Sequence, residues 1–524
     1  METISCQVVR VDLQMNSLQS CLTSRDVRRL DLNSEYLGVS SLQLMENAGK
    51  AVAAEVASRF DKDSRILVLA GTGRNGGDGM VAARHLASMG YEVRLSLVGS
   101  ESSLRDELVL LNWGCLKAMH SSVKTGVISD SSYLKPFTAD VIIDSLLGVG
   151  LRGTLRQPTL KAVRVLNKSK GFIVSIDVPT GVDSDSGEVQ GDAVRANMTV
   201  TFHAPKAGFV KAKDFLGEVK VASIGIPPEA ELYAGPGDVA LTIRDRPTRS
   251  KKGDFGRILV IGGNETYSGA PALVSIAALR TGTDLVYIAS PERTAEAISS
   301  MSPDLISVKM SGNHFNLENL GELEPYIDRA TAVVIGSGMG LHKESFDATA
   351  ELFKKLVRLN KPTLIDADAL KALGGSKSRL NFPAVLTPHA GEFEAISGRK
   401  VSDELEERIA DVKQVANELN STIALKGRVD IISDGSRVKL NWTGNPGMTV
   451  GGTGDVLSGV VASLMGQGCE PFEAAVAGAF INGAAGDFVY REKGFHLLAT
   501  DLIDKIPYVM NDPMSHKDAK FIGD

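Results

Sequence analysis

Thiols are the first thing this sequence has little of. Its four cysteines, Cys6, Cys21, Cys115 and Cys469, lie far apart and form no CxxC pair. That spacing argues against a disulfide framework or a cysteine-built zinc site and fits a reducing cytosol. Basic clusters are missing too. Lys and Arg total 57 against 63 for Asp and Glu, a net charge of −6 that disfavours a polyanion-binding surface. Lys251-Lys252, even with Arg249 beside it, is too short for a nucleic-acid patch. No apolar run approaches the ~20 residues that span a bilayer. The first residues lack the basic start and apolar stretch of a signal peptide. The expected partners are therefore small molecules, with neither nucleic acid nor membrane among them, and the expected compartment is the cytoplasm. Aromatics are scarce at 5%, but 43% hydrophobic and 23% charged residues are ordinary for a globular chain, and 524 residues allow at least two large domains.

What is present is a recurring unit: a short β-branched run, then glycines, then a helical pattern. The runs are Arg65–Ala70, Asp140–Asp144, Phe172–Asp177, Arg257–Ile261 and Ala332–Gly336. Continuous apolar runs of this length suit strands of a parallel sheet covered on both faces. Met45, Val52, Val56 and Phe60 recur at helical spacing, with Ser41 available as the N-cap. Between Ile226 and Arg249 the pattern lapses into proline-rich PPEAELYAGPGD and RDRPTRSKK, which marks the domain boundary. GRILVIGG beyond it echoes SRILVLAGTG near the start, and residues before about Leu22 read as an extension. The expected fold is α/β, as two three-layer α-β-α domains over residues 22–226 and 240–510.

Gly71-Thr-Gly-Arg-Asn-Gly-Gly-Asp-Gly79 follows a strand and precedes the helical run MVAARHLASMG. Glycines there allow a tight turn with its N–H groups near a ligand, and a helix N-terminus behind them favours phosphate. The alternative is a structural strand–helix turn. DSLLGVGLRG from Asp144 and DVPTG from Asp177 end later strands, and in an open parallel sheet such loops converge on one ligand site. Asp144, Asp177 and the Asn75 amide offer the oxygens that Na⁺, K⁺ or Mg²⁺ prefer, although each aspartate alone could equally cap a turn.

Gly451-Gly-Thr-Gly-Asp-Val-Leu-Ser-Gly459 opens a helix in which Val456, Val460 and Leu464 share one face. Its glycines can present successive N–H groups to an anion. Asp455, at the same end, can accept a hydroxyl proton as charge develops on a phosphate. No Walker A lysine motif is present, which disfavours a P-loop enzyme.

LMENAG, GTGRNGGDG, DSLLGVG, DVPTG and FHAPKAG occur in the order found in NAD(P)H-hydrate epimerases, and from about Leu22 to Ile226 the chain resembles that Rossmann-like family. The resemblance implies a K⁺ site at Asn75, Asp144 and Thr180. It implies substrate contacts from Arg74, Asn75, Gly76, Gly77 and Asp78, from Gly148, Val149, Gly150, Leu151, Arg152 and Gly153, and from Asp177. Asp177 is the expected acid/base group for inverting the hydroxyl-bearing carbon of a hydrated nicotinamide ring. Lys206 is the second choice, against the ordinary reading of a loop lysine as a solvated charge. Arg74, Val149 and Thr180 replace the family's usual asparagine, threonine and serine.

KGDFGR from Lys252, YSGAP from Tyr267, GSGMG from Gly336, DAD from Asp366, TPHAGE from Thr387 and Lys426-Gly427 accompany GTGD at Gly452. From about Lys252 to Pro507 this set resembles the ribokinase-like, ADP- or ATP-dependent NAD(P)H-hydrate dehydratases, with Lys251 where a histidine often stands. It implies that Ala270, Gly338, His389 and Asp455 contact the hydrated nucleotide. Lys426, Gly427, Arg428, Val429, Asp430 and Gly454 would contact the adenine nucleotide. Mg²⁺ would be organised through Glu392, or through Asp366 or Asp368. The implied reaction is a kinase step whose product falls apart: Asp455 assists attack of the ring hydroxyl on the terminal phosphate, and phosphate then leaves. Together the halves would repair both epimers of NADHX and NADPHX, with ADP the expected donor in a fused chain and a homo-oligomer the expected assembly. The competing reading is a vitamin-precursor kinase whose first domain only senses or binds; YSGAP, TPHAGE and the retained Asn75, Asp144, Asp177 and Thr180 argue against it.

Overall fold

The computed structural model describes residues 21–150, 153–374 and 379–521. The chain divides between Pro228 and Glu229 into two compact units.

The first unit carries seven strands: β1 (Arg65–Ala70), β2 (Glu92–Val98), β3 (Val123–Ile128), β4 (Thr138–Ser145), β5 (Lys170–Ile176), β6 (Met198–Phe202) and β7 (Glu218–Ala222). They form one all-parallel sheet in the order β3-β2-β1-β4-β5-β6-β7. Alternation along the strands serves two separate cores. Ile66, Val68 and Ala70 pack with Val52, Val56, Met80 and Trp113 on one face. Leu67 and Leu69 pack with Ile142, Val163 and Leu166 on the other. Both faces are therefore buried, which is why the strands read as unbroken apolar runs.

The second unit holds β8 (Arg257–Ile261), β9 (Leu285–Pro291), β10 (Ile306–Met310), β11 (Ala332–Ile335), β12 (Thr363–Ile365), β13 (Ala384–Leu386), β14 (Thr422–Leu425), β15 (Asp430–Ser433) and β16 (Val438–Asn441). Their order is β10-β9-β8-β11-β12-β13-β14-β15-β16, with only β15 and β16 antiparallel to their neighbours. Helices Gly269–Arg280, Thr453–Gly466, Pro471–Lys493 and Ala499–Asn511 pack together as a layer. Leu259, Ile261, Val333 and Ile335 face a separate core with Leu323, Leu352 and Val412. Both units are thus helix–sheet–helix layers, and in both the chain crosses back beside its first strand, at β1/β4 and at β8/β11. That switch opens a crevice at the carboxyl ends of the strands.

Two local expectations are corrected. Ser40, not Ser41, caps helix Ser41–Ala57, its hydroxyl accepting from the N–H of Gln43 while Gln43 reaches back, and Phe60 lies beyond the helix end. The helix after β1 begins at Arg74, five residues before the end of the glycine motif. Residues 229–242 are not a bare linker. They form helices Pro228–Leu232 and Pro236–Thr242, and Asp238 is buried in an ion pair with Lys439 at 3.1 Å. No helix among the described residues is long and apolar enough to cross a membrane.

Candidate functional sites

The first crevice is shaped by backbone contacts that only glycine allows. A Cβ on Gly71 would stand 1.9 Å from the Leu146 carbonyl oxygen, one on Gly76 2.0 Å from that of Gly71, and one on Gly79 2.0 Å from Ser145 Oγ. Gly76 and Gly79 therefore press the helix Arg74–Ser88 onto the strand ends. Much of the motif's glycine content is packing, which draws the helix N-terminus close to the β4 loop and leaves Gly73 to open it.

Behind that terminus lies a buried oxygen cluster. Asp144, at the end of β4, is fully buried and accepts from Thr180 N at 3.0 Å, Thr180 Oγ1 at 2.7 Å and Ser175 Oγ at 2.8 Å. Burial pushes its pKa up against these hydrogen bonds. Thr180 Oγ1 also lies 3.1 Å from Leu147 O, so its single hydrogen faces two acceptors. Asn75 meets the same loop: a Cβ on Gly148 would come within 3.2 Å of its Cγ, and its buried Oδ1 and Nδ2 both lack a partner. A buried amide that is unsatisfied at both ends calls for a ligand. The oxygen suits a hard cation, and the NH₂ suits an anionic or carbonyl group.

Asp177 is not part of that cluster. It sits just beyond β5 with φ 63° and ion-pairs with Lys206 at 2.7 Å. Its Oδ1 also accepts from Thr201 Oγ1 and Phe202 N, each at 3.1 Å. Lys206 is 1% exposed and donates further to Thr201 Oγ1, Phe202 O and Ala204 O, which overturns its reading as a solvated loop charge. Asp78 is close enough to feel Asp177: burial first, then the charges of Asp177 and Asp31, raise its pKa well above the carboxylate range. Asp31, on helix Ser24–Tyr36, is lifted to about 6 by burial, against the pull of Arg74. Sequence reasoning passed over Asp31, which stands in RRLDLNSEY with no motif around it. Arg74 itself is drawn to Asp106 at 2.9 Å. Gly148, Val149, Gly150 and Gly153 line the β4 loop, while Leu151 and Arg152 lie outside the described residues.

The second crevice centres on helix Thr453–Gly466, entered through Gly452 at φ +99°. Val456, Val460 and Leu464 are buried as their spacing predicts. Gly459 serves packing, since a Cβ there would lie 2.2 Å from Val274 O, whereas Gly451 is open. Asp455 occupies the first turn, its pKa pushed up to about 6 by burial and by the charge of Asp366, against the pull of Lys426. Asp366, itself buried, accepts from Ser458 Oγ at 2.7 Å and Lys426 Nζ at 3.2 Å. Burial works against the Lys426 charge, but Asp366 and Glu392 outweigh it and its pKa lies above the ordinary lysine value. A Cβ on Gly454 would stand 3.3 Å from Lys426 Nζ, so the ammonium lies at the mouth of the helix.

His389 caps helix Ala390–Ser397: its Nδ1 accepts from Glu392 N, while Glu392 Oε2 accepts from His389 N at 2.9 Å. The ring stays 61% exposed on its side chain and so remains free to meet a ligand. Asp368 accepts from Gly340 N at 2.9 Å and pairs with Lys371 at 3.1 Å. Asp430, lifted to about 6 by burial, accepts from Gly427 N and Asn441 and so fixes the 427–430 turn. In that turn Arg428 is exposed, while the Val429 side chain joins the core and leaves only its backbone to a ligand. Gly338, at φ 65°, lies against Tyr267 and Ala270 on the β8 side of the crevice.

A family model described as NAD(P)H-hydrate dehydratase matches residues 258–508. A second, described as YjeF-related protein N-terminus, matches residues 41–208. A bifunctional NAD(P)H-hydrate repair enzyme of Pyrobaculum aerophilum is 46% identical over 499 residues, 93% of this chain and 98% of that protein. Its namesake in Hyperthermus butylicus is 43% identical over 502 residues, 95% of this chain and 93% of that one. Among solved structures, an ADP/ATP-dependent NAD(P)H-hydrate dehydratase from Bacillus subtilis is 26% identical with a TM-score of 0.45, covering 53% of this chain and 98% of that chain.

Proposed function

The chain belongs to the bifunctional NAD(P)H-hydrate repair enzymes, and from that membership we propose how its two crevices divide the chemistry. The first unit epimerises hydrated NADH and NADPH, and the second dehydrates one epimer back to the dihydronicotinamide with ADP or ATP as phosphate donor.

One observation carries the second assignment: a carboxylate with its pKa at about 6 stands in the first turn of a glycine-opened helix, beside a lysine. A base titrating near the working pH combines availability with proton affinity. Asp455 takes the proton of the ring hydroxyl as its oxygen forms a bond to the terminal phosphorus of the donor. The nucleotide leaves with the electrons of the broken P–O bond. The helix N–H groups at Gly454 and the Lys426 ammonium stabilise the charge on the transferred phosphate. That phosphate then departs with the C–O pair and takes the proton that the neighbouring carbon gives up, and the C–H electrons restore the ring double bond. Asp366 is the positioning residue, holding Lys426 and Ser458 at once. Glu392, with Asp366 or Asp368 as its alternative, would organise Mg²⁺, which shields the donor phosphates when bound. Ala270, Gly338 and His389 line the hydrated-nucleotide side. Lys426, Gly427, Arg428, Val429, Asp430 and Gly454 line the adenine-nucleotide side.

In the first unit Asn75, Asp144 and Thr180 fit K⁺: all offer oxygen, and the unpaired Asn75 Oδ1 and the doubly claimed Thr180 hydroxyl are the imbalances that a cation relieves. Asp177, fixed by Lys206, is the acid/base group, and Asp78, whose surroundings favour its protonated form, is the complementary acid. Arg74, with Gly148, Val149, Gly150 and Gly153 of the β4 loop, lines the substrate side.

The metal assignment is tested by potassium titration of epimerase activity. Asp144→Ala should abolish the K⁺ dependence while dehydration on the same sample stays intact. A titration curve matching that of the unmodified protein would remove Asp144 from the site.

A further inference from the structure

Outside the phosphate-handling groups, the second unit gathers a different ligand chemistry. One donor atom from each of Glu265, His314 and His342 lies within 4.8 Å of the others. The two imidazoles are stacked, with centroids 4.1 Å apart and 6° between their planes. Both turn the same nitrogen to a carboxylate: His314 Nε2 lies 2.8 Å from Glu344 and His342 Nε2 lies 3.3 Å from Glu265.

The donors come from three separate loops. Glu265 lies between β8 and helix Gly269–Arg280, His314 between β10 and helix Asn319–Arg329, and His342 caps helix Lys343–Leu359. One main-chain and one side-chain hydrogen bond already hold these loops together. Glu265 N donates to Asn313 O at 3.1 Å, and Ser345 Oγ donates to Phe315 O at 2.8 Å. The loops are therefore held together by the fold before any ligand arrives, while the two imidazoles, whose stacking leaves their lone pairs parallel, would turn out of the stack to converge on one ion; both stay reachable, with His314 21% and His342 41% exposed.

Two imidazoles with a carboxylate do not suit K⁺ or Mg²⁺, which take oxygen donors. They are the donors of Zn²⁺ and its first-row neighbours, in a three-ligand arrangement that keeps a position open. We propose that Glu265, His314 and His342 bind one divalent transition ion of the zinc class, with the Glu344 carboxylate at hand as a fourth donor. The ion would replace the hydrogens now shared between each Nε2 and its carboxylate and would clamp three loops at the carboxyl edge of the second sheet. Asn264 and Tyr267 sit on the first of these loops, and Gly338 and Gly340 lie against them, so the clamp braces one wall of the second crevice.

The test uses the full chain, freed of metal by chelation and dialysed against Zn²⁺ with Mg²⁺ and K⁺ in excess. The expected result is one zinc per chain and a higher thermal unfolding midpoint. Losing even an outer-shell partner of a metal site costs about 10–100-fold in affinity, so His314→Gln and His342→Gln should each weaken zinc by at least about tenfold. The double variant should lose the site while its metal-free unfolding midpoint matches the unmodified protein. If the double variant does not fold, Glu265→Gln at the exposed ligand carries the same expectation. A chain that binds no zinc, or zinc retained at full affinity in these variants, would overturn the proposal.

Discussion

At the scale of single residues, the proposed dehydration rests on one aspartate, Asp455, as the base that takes the hydroxyl proton. Asp455 has its pKa raised to about 6, so its basic form prevails above that value and is lost as pH falls through it. Dehydration measured from about pH 8 down to about pH 5 should therefore decline around pH 6, as expected of a base with this raised pKa. Asp455→Asn should cut dehydration by about 10²-fold or more, the scale of a lost general base, and flatten that limb. Epimerisation by the same variant should stay at its normal rate. A second residue-level prediction concerns Lys206, whose removal strands the Asp177 charge it now neutralises. Breaking one side of a buried pair costs about 3–5 kcal/mol, so Lys206→Met should lower the unfolding midpoint of the first unit and depress epimerisation. A variant with normal stability and epimerisation would show that the pair is dispensable. Asp455, Asp144 and Thr180 were legible in the sequence because each stands at a strand or helix end inside a motif. Asp31 was not: it stands in no motif, and the charges that act on it, Arg74 and Asp177, are distant in sequence. Lys206 stood inside FHAPKAG, but its burial and its pair with Asp177 did not show there.

At the scale of elements, the glycine motifs do two jobs that the sequence presents as one. Gly73, Gly451 and Gly452 open helix N-termini, while Gly76, Gly79 and Gly459 let a helix touch a strand end or another helix. Helix propensity placed the start of the first helix after Gly79, because glycine is a poor helix former. The observed start at Arg74 shows packing overriding that preference. Overpacking costs typically 1–3 kcal/mol, and the atoms facing Gly76 and Gly459 are backbone carbonyls that cannot rotate aside. Gly76→Ala and Gly459→Ala should accordingly lower the unfolding midpoint by an amount of about that size, seen by calorimetry, whereas Gly451→Ala, in open space, should not. The central strands β1, β4, β5, β8 and β11 were legible because their runs are largely buried and unbroken, whereas edge strands such as β3 and β7 are mostly exposed and show no such run. The chain divides within the Ile226–Arg249 stretch where the pattern lapses, but the two short helices there were not legible: they have too few turns to show a period, and the Asp238–Lys439 pair that anchors them joins distant positions.

At the scale of the whole molecule, one all-parallel sheet and one that is parallel except for β15 and β16 each reverse strand order once, and each reversal opens the crevice to which one reaction is proposed. A dehydratase that accepts one epimer leaves the other behind, and an epimerase in the same chain removes that limit. The chemistry of the two crevices is separable: oxygen donors and a lysine-paired aspartate in the first, a helix mouth with a lysine and a raised aspartate in the second. The most direct measurement follows dihydronicotinamide absorbance on mixed NADHX epimers with K⁺, Mg²⁺ and either ADP or ATP. The account predicts that both epimers are consumed completely by the single chain. Conversion that stops at one epimer's share would contradict it, leaving a dehydratase joined to a first unit without epimerase activity.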